Sequence, residues 1–207
     1  MEYSGAAKLA NMSCAALRSG CGVATLAVPK TIAMSVAPYL VESTLTLFSD
    51  DGEGHMIFEE EELDRFLKKQ NAIAVGMGWG QSVENEKILT YILKHYTSAL
   101  IIDADGLNTL AKLDSNLLRN TSAKVVLTPH LKEFERISGV KIEALQQDPV
   151  KYACAYAKEY GVCVLLKGAS TIVTDGAESY LIDRGCSGMA TAGSGDVLSG
   201  VLVGMMG

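Results

Sequence analysis

Short apolar runs rich in β-branched residues alternate with helical patterns along this chain, and that alternation limits the possible folds most. The strand-like runs are residues 23–28, 43–47, 73–76, 98–102, 124–127 and 162–166. The segments with helical spacing are residues 6–19, 58–69, 83–95 and 149–160. Apolar strands that alternate with helices are typical of a parallel sheet whose two faces are both covered. The sequence therefore predicts an α/β fold with a mostly parallel sheet flanked by helices on both faces.

Toward the C-terminus the pattern changes to that of a β-hairpin. Asp175-Gly176 separates the apolar runs 171–174 and 179–182, and Asp-Gly in this position is a strong hairpin signal. No repeat, linker or low-complexity segment interrupts the chain, so we expect a single domain over residues 1–207. Helical patterns begin near residue 5 and continue through residues 201–207. We therefore also expect this domain to lack its first strand and its last helical segment.

Charge and cysteine content exclude several classes of function. The chain has 18 Lys and Arg residues against 24 Asp and Glu residues, and no basic cluster exceeds two adjacent residues. A nucleic-acid-binding face is therefore not expected, and any phosphate ligand would be held by backbone amides and one or two lysines. None of the five cysteines forms a Cys-x-x-Cys pair, and no apolar run reaches 18 residues. We expect reduced thiols in a soluble, cytoplasmic protein with no membrane partner.

A glycine-rich turn, Gly188-Met-Ala-Thr-Ala-Gly-Ser-Gly-Asp196, precedes an apolar helical run. The small residues 193–195 let backbone N–H groups approach a ligand, and a helix N-terminus attracts negative charge. This combination suits a phosphate group. Asp196 has two interpretations that the local pattern does not separate. It is either the helix N-cap or a base that takes a proton from a hydroxyl attacking phosphorus.

Glycines and polar residues follow four of the predicted strands, at the edge where open α/β sheets bind ligands. These segments are residues 76–81, 103–108, 128–134 and 167–171. Each also has an ordinary interpretation as a strand–helix turn, a capped helix or a solvated lysine. In the functional interpretation, Asp103 and Asp105 order a magnesium shell or bind a ligand hydroxyl, and Lys167 holds a nucleotide phosphate.

Thr128, His130 and Glu133 form another candidate group. Thr128 and His130 would face a ligand while Glu133 stands behind a magnesium-bound water, or the segment is simply a capped helix start. The spacing of His130 and Glu133 could bind a metal, but no second histidine lies nearby in the sequence, which argues against zinc. The sequence also lacks a P-loop, a Rossmann fingerprint after the first strand and a Gly-x-Ser-x-Gly elbow.

Taken in order, these motifs resemble those of the NAD(P)H-hydrate dehydratases, a family of ribokinase-like repair enzymes. The motifs are Gly-x-Gly-x-Gly at 76–80, Asp-Ala-Asp-x-Leu-Asn at 103–108, Thr-Pro-His-x-x-Glu-Phe at 128–134, Lys-Gly-x-x-Thr at 167–171 and Gly-Met-Ala-Thr-Ala-Gly-Ser-Gly-Asp at 188–196. The similarity extends from about Ser4 to Met206. The last motif matches this family rather than ribokinase-like sugar kinases. The resemblance implies a ribokinase-like fold and a nucleotide repair reaction.

In the reaction that the resemblance implies, ADP phosphorylates the 6-hydroxyl of NAD(P)H-hydrate, with ATP as the alternative donor. Phosphate then leaves, NAD(P)H is restored, and AMP is released when ADP is the donor. Asp196 would deprotonate the hydroxyl, and the amides of residues 192–195 would form an anion hole for the transferred group. Mg²⁺ would accompany the nucleotide, supported through water by Glu133.

The resemblance also assigns binding residues. Four would contact the hydrate: Ala6, Gly78, His130 and Asp196. Nucleotide contacts would come from two segments, Lys167, Gly168, Ala169, Ser170 and Thr171, and Gly193, Ser194 and Gly195. The protein would be a cytoplasmic homo-oligomer, commonly a tetramer, that acts beside a fused or separate hydrate epimerase. NADH-hydrate and NADPH-hydrate would both serve as substrates.

Two other functions stay open at the level of sequence. A ribokinase-like kinase of a small vitamin precursor or sugar alcohol would leave a stable phosphorylated product. A non-catalytic nucleotide-binding protein would bind the nucleotide without turnover.

Overall fold

The strands form two sheets, one small and one large. The computed structural model describes residues 6–207, with the side chains of residues 6–8, 10 and 11 left out of the description. The small sheet is a parallel pair, β1 (Thr25–Pro29) and β2 (Thr44–Phe48). The large sheet has the order β3–β4–β5–β6–β7–β8, formed by Ala72–Val75, Ala99–Ile102, Lys124–Leu127, Cys163–Leu166, Thr171–Thr174 and Ser179–Ile182.

The large sheet is parallel from β3 to β6 and antiparallel from β6 to β8. The predicted mostly parallel sheet with a C-terminal hairpin is therefore confirmed. All four residues of β4 are buried, as expected for a central strand covered on both faces. The sequence pattern did not predict that β1 and β2 would pair with each other apart from the large sheet.

Helices connect most of the strands. Their bounds are α1 (Ala6–Arg18), α2 (Ala33–Val36), α3 (Glu60–Leu67), α4 (Val83–His95), α5 (Asp105–Leu110), α6 (Ser115–Arg119), α7 (Leu131–Ser138), α8 (Ile142–Gln147), α9 (Pro149–Tyr160) and α10 (Ser194–Met206). Three short 3₁₀ turns occur at Lys30–Ile32, Ala37–Tyr39 and Ser187–Met189. In the described part of the chain, no helix is both long enough and apolar enough to cross a bilayer.

Helix α4 shows how local sequence sets the bounds of an element. The side chain of its N-cap, Ser82, accepts a hydrogen bond from the backbone N–H of Asn85 at 3.1 Å. Acidic residues in the first turn and Lys94 and His95 in the last turn match the two ends of the helix dipole. These signals explain why the predicted bounds of α4 agree with the structure.

Helix α10 packs against α1 with backbone nearly touching backbone. A Cβ placed on Gly200 would lie 2.2 Å from the carbonyl oxygen of Met12, and one on Gly204 would lie 2.5 Å from that of Ala16. Real Cβ atoms do not approach that closely, so both positions need glycine. This contact fixes the position of α10, whose first turn carries the glycine-rich motif.

We predict that Gly200→Ala lowers the free energy of unfolding by about 2 kcal/mol or more, because its methyl group would overlap the backbone of α1. Urea denaturation would measure the change. Gly22→Ala is the control, since a Cβ there meets nothing within 4 Å. It should alter stability by less than about 0.5 kcal/mol. Equal losses in the two variants would contradict the packing argument.

Candidate active site at the carboxyl ends of the strands

The segments after β4, β5 and β6 lie next to one another. The backbone of Lys167 donates to the carbonyl oxygen of Pro129 at 2.7 Å, and Lys167 forms a parallel bridge with His130. The Lys167 ammonium donates to Asp103 Oδ1 at 2.8 Å. Residues that are far apart in the sequence therefore meet at one edge of the sheet, as open α/β folds require.

Asp103 is the most occupied side chain at this edge. Its Oδ1 accepts from the Lys167 ammonium and from the backbone N–H of Ala104 at 2.9 Å. Its Oδ2 accepts from Ser199 Oγ of α10, also at 2.9 Å. The Asp103 side chain is 3% exposed and that of Lys167 is 26% exposed. Because the carboxylate is buried, its charge must be balanced by a partner, and Lys167 supplies that partner.

The backbone around Asp103 is tightly packed and strained. Ala104 has φ +48° and is the one non-glycine residue with positive φ among those described. Such a conformation costs about 1–3 kcal/mol, and strain of this kind concentrates at functional sites. A Cβ on Gly76 would lie 2.1 Å from the carbonyl oxygen of Asp103 and 2.3 Å from the nitrogen of Gly106. The end of β3 is thus pressed against the start of α5.

The glycine-rich turn places the start of α10 beside this ion pair. Gly193 is the N-cap of the helix, with φ +92°, so Asp196 lies within the first turn. The simple interpretation of Asp196 as the N-cap is therefore wrong. A Cβ on Gly195 would lie 3.8 Å from both Asp103 Oδ2 and Lys167 Nζ. The Lys167 ammonium and the positive end of α10 consequently converge on one region.

The predicted anion hole differs from the structure in one amide. The backbone N–H of Ser194 donates to the carbonyl oxygen of Thr191 at 3.2 Å, and its hydroxyl donates to the same oxygen at 2.9 Å. Among the described residues, the amides of Ala192, Gly193 and Gly195 donate to no backbone carbonyl. Three of the four predicted amides therefore have no backbone acceptor, while Ser194 stabilises the turn itself.

His130 and Glu133 form a reciprocal cap at the start of α7. His130 Nδ1 accepts from the backbone N–H groups of Lys132 and Glu133, at 3.1 and 3.2 Å. In return, Glu133 Oε2 accepts from the backbone N–H of His130 at 2.8 Å. Because Nδ1 is an acceptor, the ring proton is on Nε2, which lies 3.4 Å from Glu133 Oε1. The half-exposed imidazole is thus held in one orientation while it faces solvent.

The remaining predicted residues occupy three other places. Gly78 lies in the loop after β3 with φ +70°, and Asp105 Oδ2 anchors this loop by accepting from the N–H of Gly80 at 2.9 Å. The exposed loop that follows Lys167 leads into β7 and contains Gly168, Ala169, Ser170 and Thr171. The Ala6 side chain and residues 1–5 lie outside the described part of the chain.

Two further features are a cavity and an exposed turn. The cavity has a volume of about 1040 Å³ and is lined by residues of β1 and β3, and among the described residues Gly78 is the one predicted binding residue along its wall. On an exposed turn, ligand atoms of Asp51, Glu53 and His55 lie within 4.8 Å of one another. Hydrogen bonds from the backbone N–H groups of His55 and Glu53 lower the pKa of the Asp51 carboxyl to about 2. These bonds identify the trio as a local turn.

Sequence reasoning left the role of Asp103 open and missed Ser199 entirely. The strand-end position of Asp103 suited either a ligand contact or a carboxylate held by backbone N–H groups. In the structure, the backbone N–H of Ala104, the Lys167 ammonium and the Ser199 hydroxyl all donate to its carboxylate. Ser199 lies 96 residues from Asp103 and sits within an apolar helical run. A single polar residue on the buried face of such a helix was the one available signal.

Comparisons with known proteins all point to the same family. A family model described as NAD(P)H-hydrate dehydratase matches residues 1–207. The chain is 34% identical over 198 residues to the bifunctional NAD(P)H-hydrate repair enzyme Nnr of Moorella thermoacetica, covering 93% of this chain but 37% of that protein. It is 30% identical over 210 residues to the ADP-dependent (S)-NAD(P)H-hydrate dehydratase of Nitrosopumilus maritimus, covering 99% of this chain and 69% of that one.

Solved structures agree with the fold. The ADP/ATP-dependent NAD(P)H-hydrate dehydratase of Bacillus subtilis, co-crystallised with ATP and Mg²⁺, matches with a TM-score of 0.76 and 27% identity. The match covers 98% of this chain and 68% of that one. A ribokinase-like superfamily protein of Enterococcus faecalis has the same fold, with a TM-score of 0.77 and 24% identity over 97% of this chain and 66% of that one. The predicted ribokinase-like fold is therefore confirmed.

We predict that Gly76→Ala lowers the free energy of unfolding by about 3 kcal/mol or more, because its Cβ would overlap the backbone of Asp103 and Gly106. Gly78→Ala is the matched control. It shares a positive φ, but its Cβ would meet nothing within 4 Å, so it should cost about 1 kcal/mol. Chemical denaturation would compare the two, and a larger loss for Gly78→Ala would contradict the close contact.

Proposed function

Because the chain belongs to the NAD(P)H-hydrate dehydratase family, we propose that it restores NAD(P)H from its hydrate in an ADP-dependent reaction. The observation that carries this proposal is that the Lys167 ammonium lies beside Gly195, in the first turn of α10, and that the same turn carries Asp196. A cation and helix-terminal amides attract a phosphoryl group, and an adjacent carboxylate can accept a proton. Phosphorylation of a hydroxyl needs both a site that binds the phosphoryl group and a base that accepts the hydroxyl proton.

In the proposed mechanism, Asp196 accepts the proton of the hydrate 6-hydroxyl as its oxygen attacks the terminal phosphorus of the nucleotide. The amides of Gly193 and Gly195 donate to the transferred phosphoryl oxygens. Each well-placed donor of this kind stabilises the transition state by about 3–4 kcal/mol. The bond between this phosphorus and its bridging oxygen breaks, and AMP leaves. Phosphate then leaves C6 with the C–O bonding electrons, assisted by the lone pair of the ring nitrogen, and loss of a proton from C5 to water restores the ring double bond.

His130 and Gly78 would hold the hydrate. The capping interactions of His130 fix its imidazole before any ligand arrives, so little side-chain entropy is lost on binding. The loop around Gly78 exposes backbone with no side chain in the way, because a Cβ at this position would meet nothing. Lys167 and the loop to Thr171 would hold the nucleotide.

Glu133 suits a supporting role for Mg²⁺. Its side chain is 8% exposed, and its carboxylate oxygens are the ligand type that Mg²⁺ prefers, commonly through water. Bound Mg²⁺ would neutralise charge on the nucleotide phosphates. Asp103 does not fit this role, because Lys167, Ser199 and Ala104 already occupy its oxygens.

The wider setting follows the family. We propose that the protein works in the cytoplasm as a homo-oligomer, commonly a tetramer, with a hydrate epimerase that is fused or separate. ATP is the alternative donor, and NADH-hydrate and NADPH-hydrate are both proposed substrates.

We predict that the chain, given NAD(P)H-hydrate, ADP and Mg²⁺, releases AMP and phosphate while the absorbance of reduced nicotinamide rises. Asp196→Asn should lower kcat at least about 100-fold, as expected for loss of a general base. The control is Asp114→Asn at the N-cap of α6, which Asn also caps well and which should keep normal turnover. A stable phosphorylated product, or no turnover with either nucleotide, would contradict the proposal. Half-normal activity in Asp196→Asn would exclude it as the base.

We further predict that Gly195→Ala weakens ADP binding about tenfold without loss of stability. The added methyl group would make only van der Waals contacts, at 3.8 Å, but it would point into the region beside Lys167. Calorimetric titration with ADP and thermal unfolding would separate the two effects. Gly22→Ala should change neither quantity, and unchanged ADP affinity in Gly195→Ala would place the phosphate elsewhere.

A further inference from the structure

Asp103 is a buried carboxylate that the proposed mechanism leaves unused. Its two oxygens accept three hydrogen bonds from protein groups, and the residue is 2% exposed. Little of its acceptor capacity remains for a substrate or a metal. The role of Asp103 must therefore lie in what it holds.

One of the held groups is the Lys167 ammonium. A lysine side chain has four rotatable bonds and, left in solvent, samples many positions. The 2.8 Å ion pair with a buried carboxylate restricts this ammonium to one position before a nucleotide binds. The conformation of Ala104 directs its N–H to the same Oδ1, which fixes the carboxylate in turn.

The other held group is Ser199. It is fully buried on α10, three residues beyond Asp196, and donates to Asp103 Oδ2 at 2.9 Å. One carboxylate thus contacts both the cation at the end of β6 and the helix whose first turn carries the amides. The position of Gly195, next to both Asp103 and Lys167, brings these groups to the same point.

We propose that Asp103 is a positioning residue that holds the Lys167 ammonium and the first turn of α10 in register, so that both act on the same phosphoryl group. This role rests on the proposed function. Asp103 itself touches neither substrate nor nucleotide. It acts through Lys167 on one side and through Ser199 on the other.

The ion pair can be tested without any turnover. Competitive acetylation of the chain by acetic anhydride, read by mass spectrometry, reports how free the Lys167 amine is relative to exposed Lys94. Asp103→Asn should raise the labelling of Lys167 about fivefold, because the constraint and the counter-charge are lost. The control is Thr174→Val, which removes a buried hydroxyl at the opposite edge of the sheet and should leave this labelling unchanged.

The positioning role is tested by a double-mutant cycle on turnover. Asp103→Asn should lower kcat about tenfold or more, with the KM for ADP changed less than about threefold. Because most of the effect of Asp103 passes through Lys167, the double variant with Lys167→Met should be only about threefold slower than Lys167→Met alone, which is the share that Asp103 contributes through Ser199. Ser199→Ala, which removes only the link to α10, should lower kcat about threefold and gives a milder variant if Asp103→Asn does not fold.

The outcomes separate the two proposals. Thr174→Val should lose stability yet keep kcat, which distinguishes positioning from general destabilisation. Unchanged Lys167 labelling in Asp103→Asn, independent effects in the cycle, or normal kcat in both Asp103→Asn and Ser199→Ala would overturn the positioning role. Absence of hydrate-dependent turnover in the unmodified chain, with Lys167 labelling still sensitive to Asp103, would instead overturn the proposed function.

Discussion

The buried carboxylate of Asp103 is the constraint on which the site depends. A charge removed from water must be compensated, and here the compensation comes from Lys167, directly after β6, and from Ser199 on α10. The need to satisfy one side chain therefore fixes the relative positions of a strand end and a helix. Around that pair, the glycine-rich turn can present amides without contributing a side chain of its own, and Asp196 is carried into place by the same helix.

The site combines rigid and open parts in a way that suits phosphoryl transfer. The Asp103 side chain and the caps of α7 are held before a ligand arrives, whereas the loop over residues 168–170 and the segment before Gly193 are exposed. Preorganised donors avoid rearrangement during the chemical step, and exposed loops allow a nucleotide to enter and leave.

Local patterns predicted the elements well and their long-range contacts poorly. The predicted bounds of α4 and of the hairpin strands agree with the structure, because helix caps and an Asp-Gly turn depend on only a few neighbouring residues. The separate β1–β2 pair was not predictable, since strand order depends on packing across the whole chain. The resemblance assigned Lys167 to the nucleotide, but its pairing with Asp103, 64 residues away, has no local signature. Likewise, that Gly193 rather than Asp196 caps α10 depends on a backbone angle.

The glycines at 76, 106, 200 and 204 occupy positions where another backbone leaves no room for a methyl group. Their identity is dictated by space and not by contact with a ligand. A homologous chain can keep Asp196 and Lys167 while other residues replace these four glycines. Such a chain should have lost the backbone contacts that position the site, although its reactive residues are unchanged. Substitution of these glycines therefore marks a homologue that is losing its activity before its reactive residues have changed.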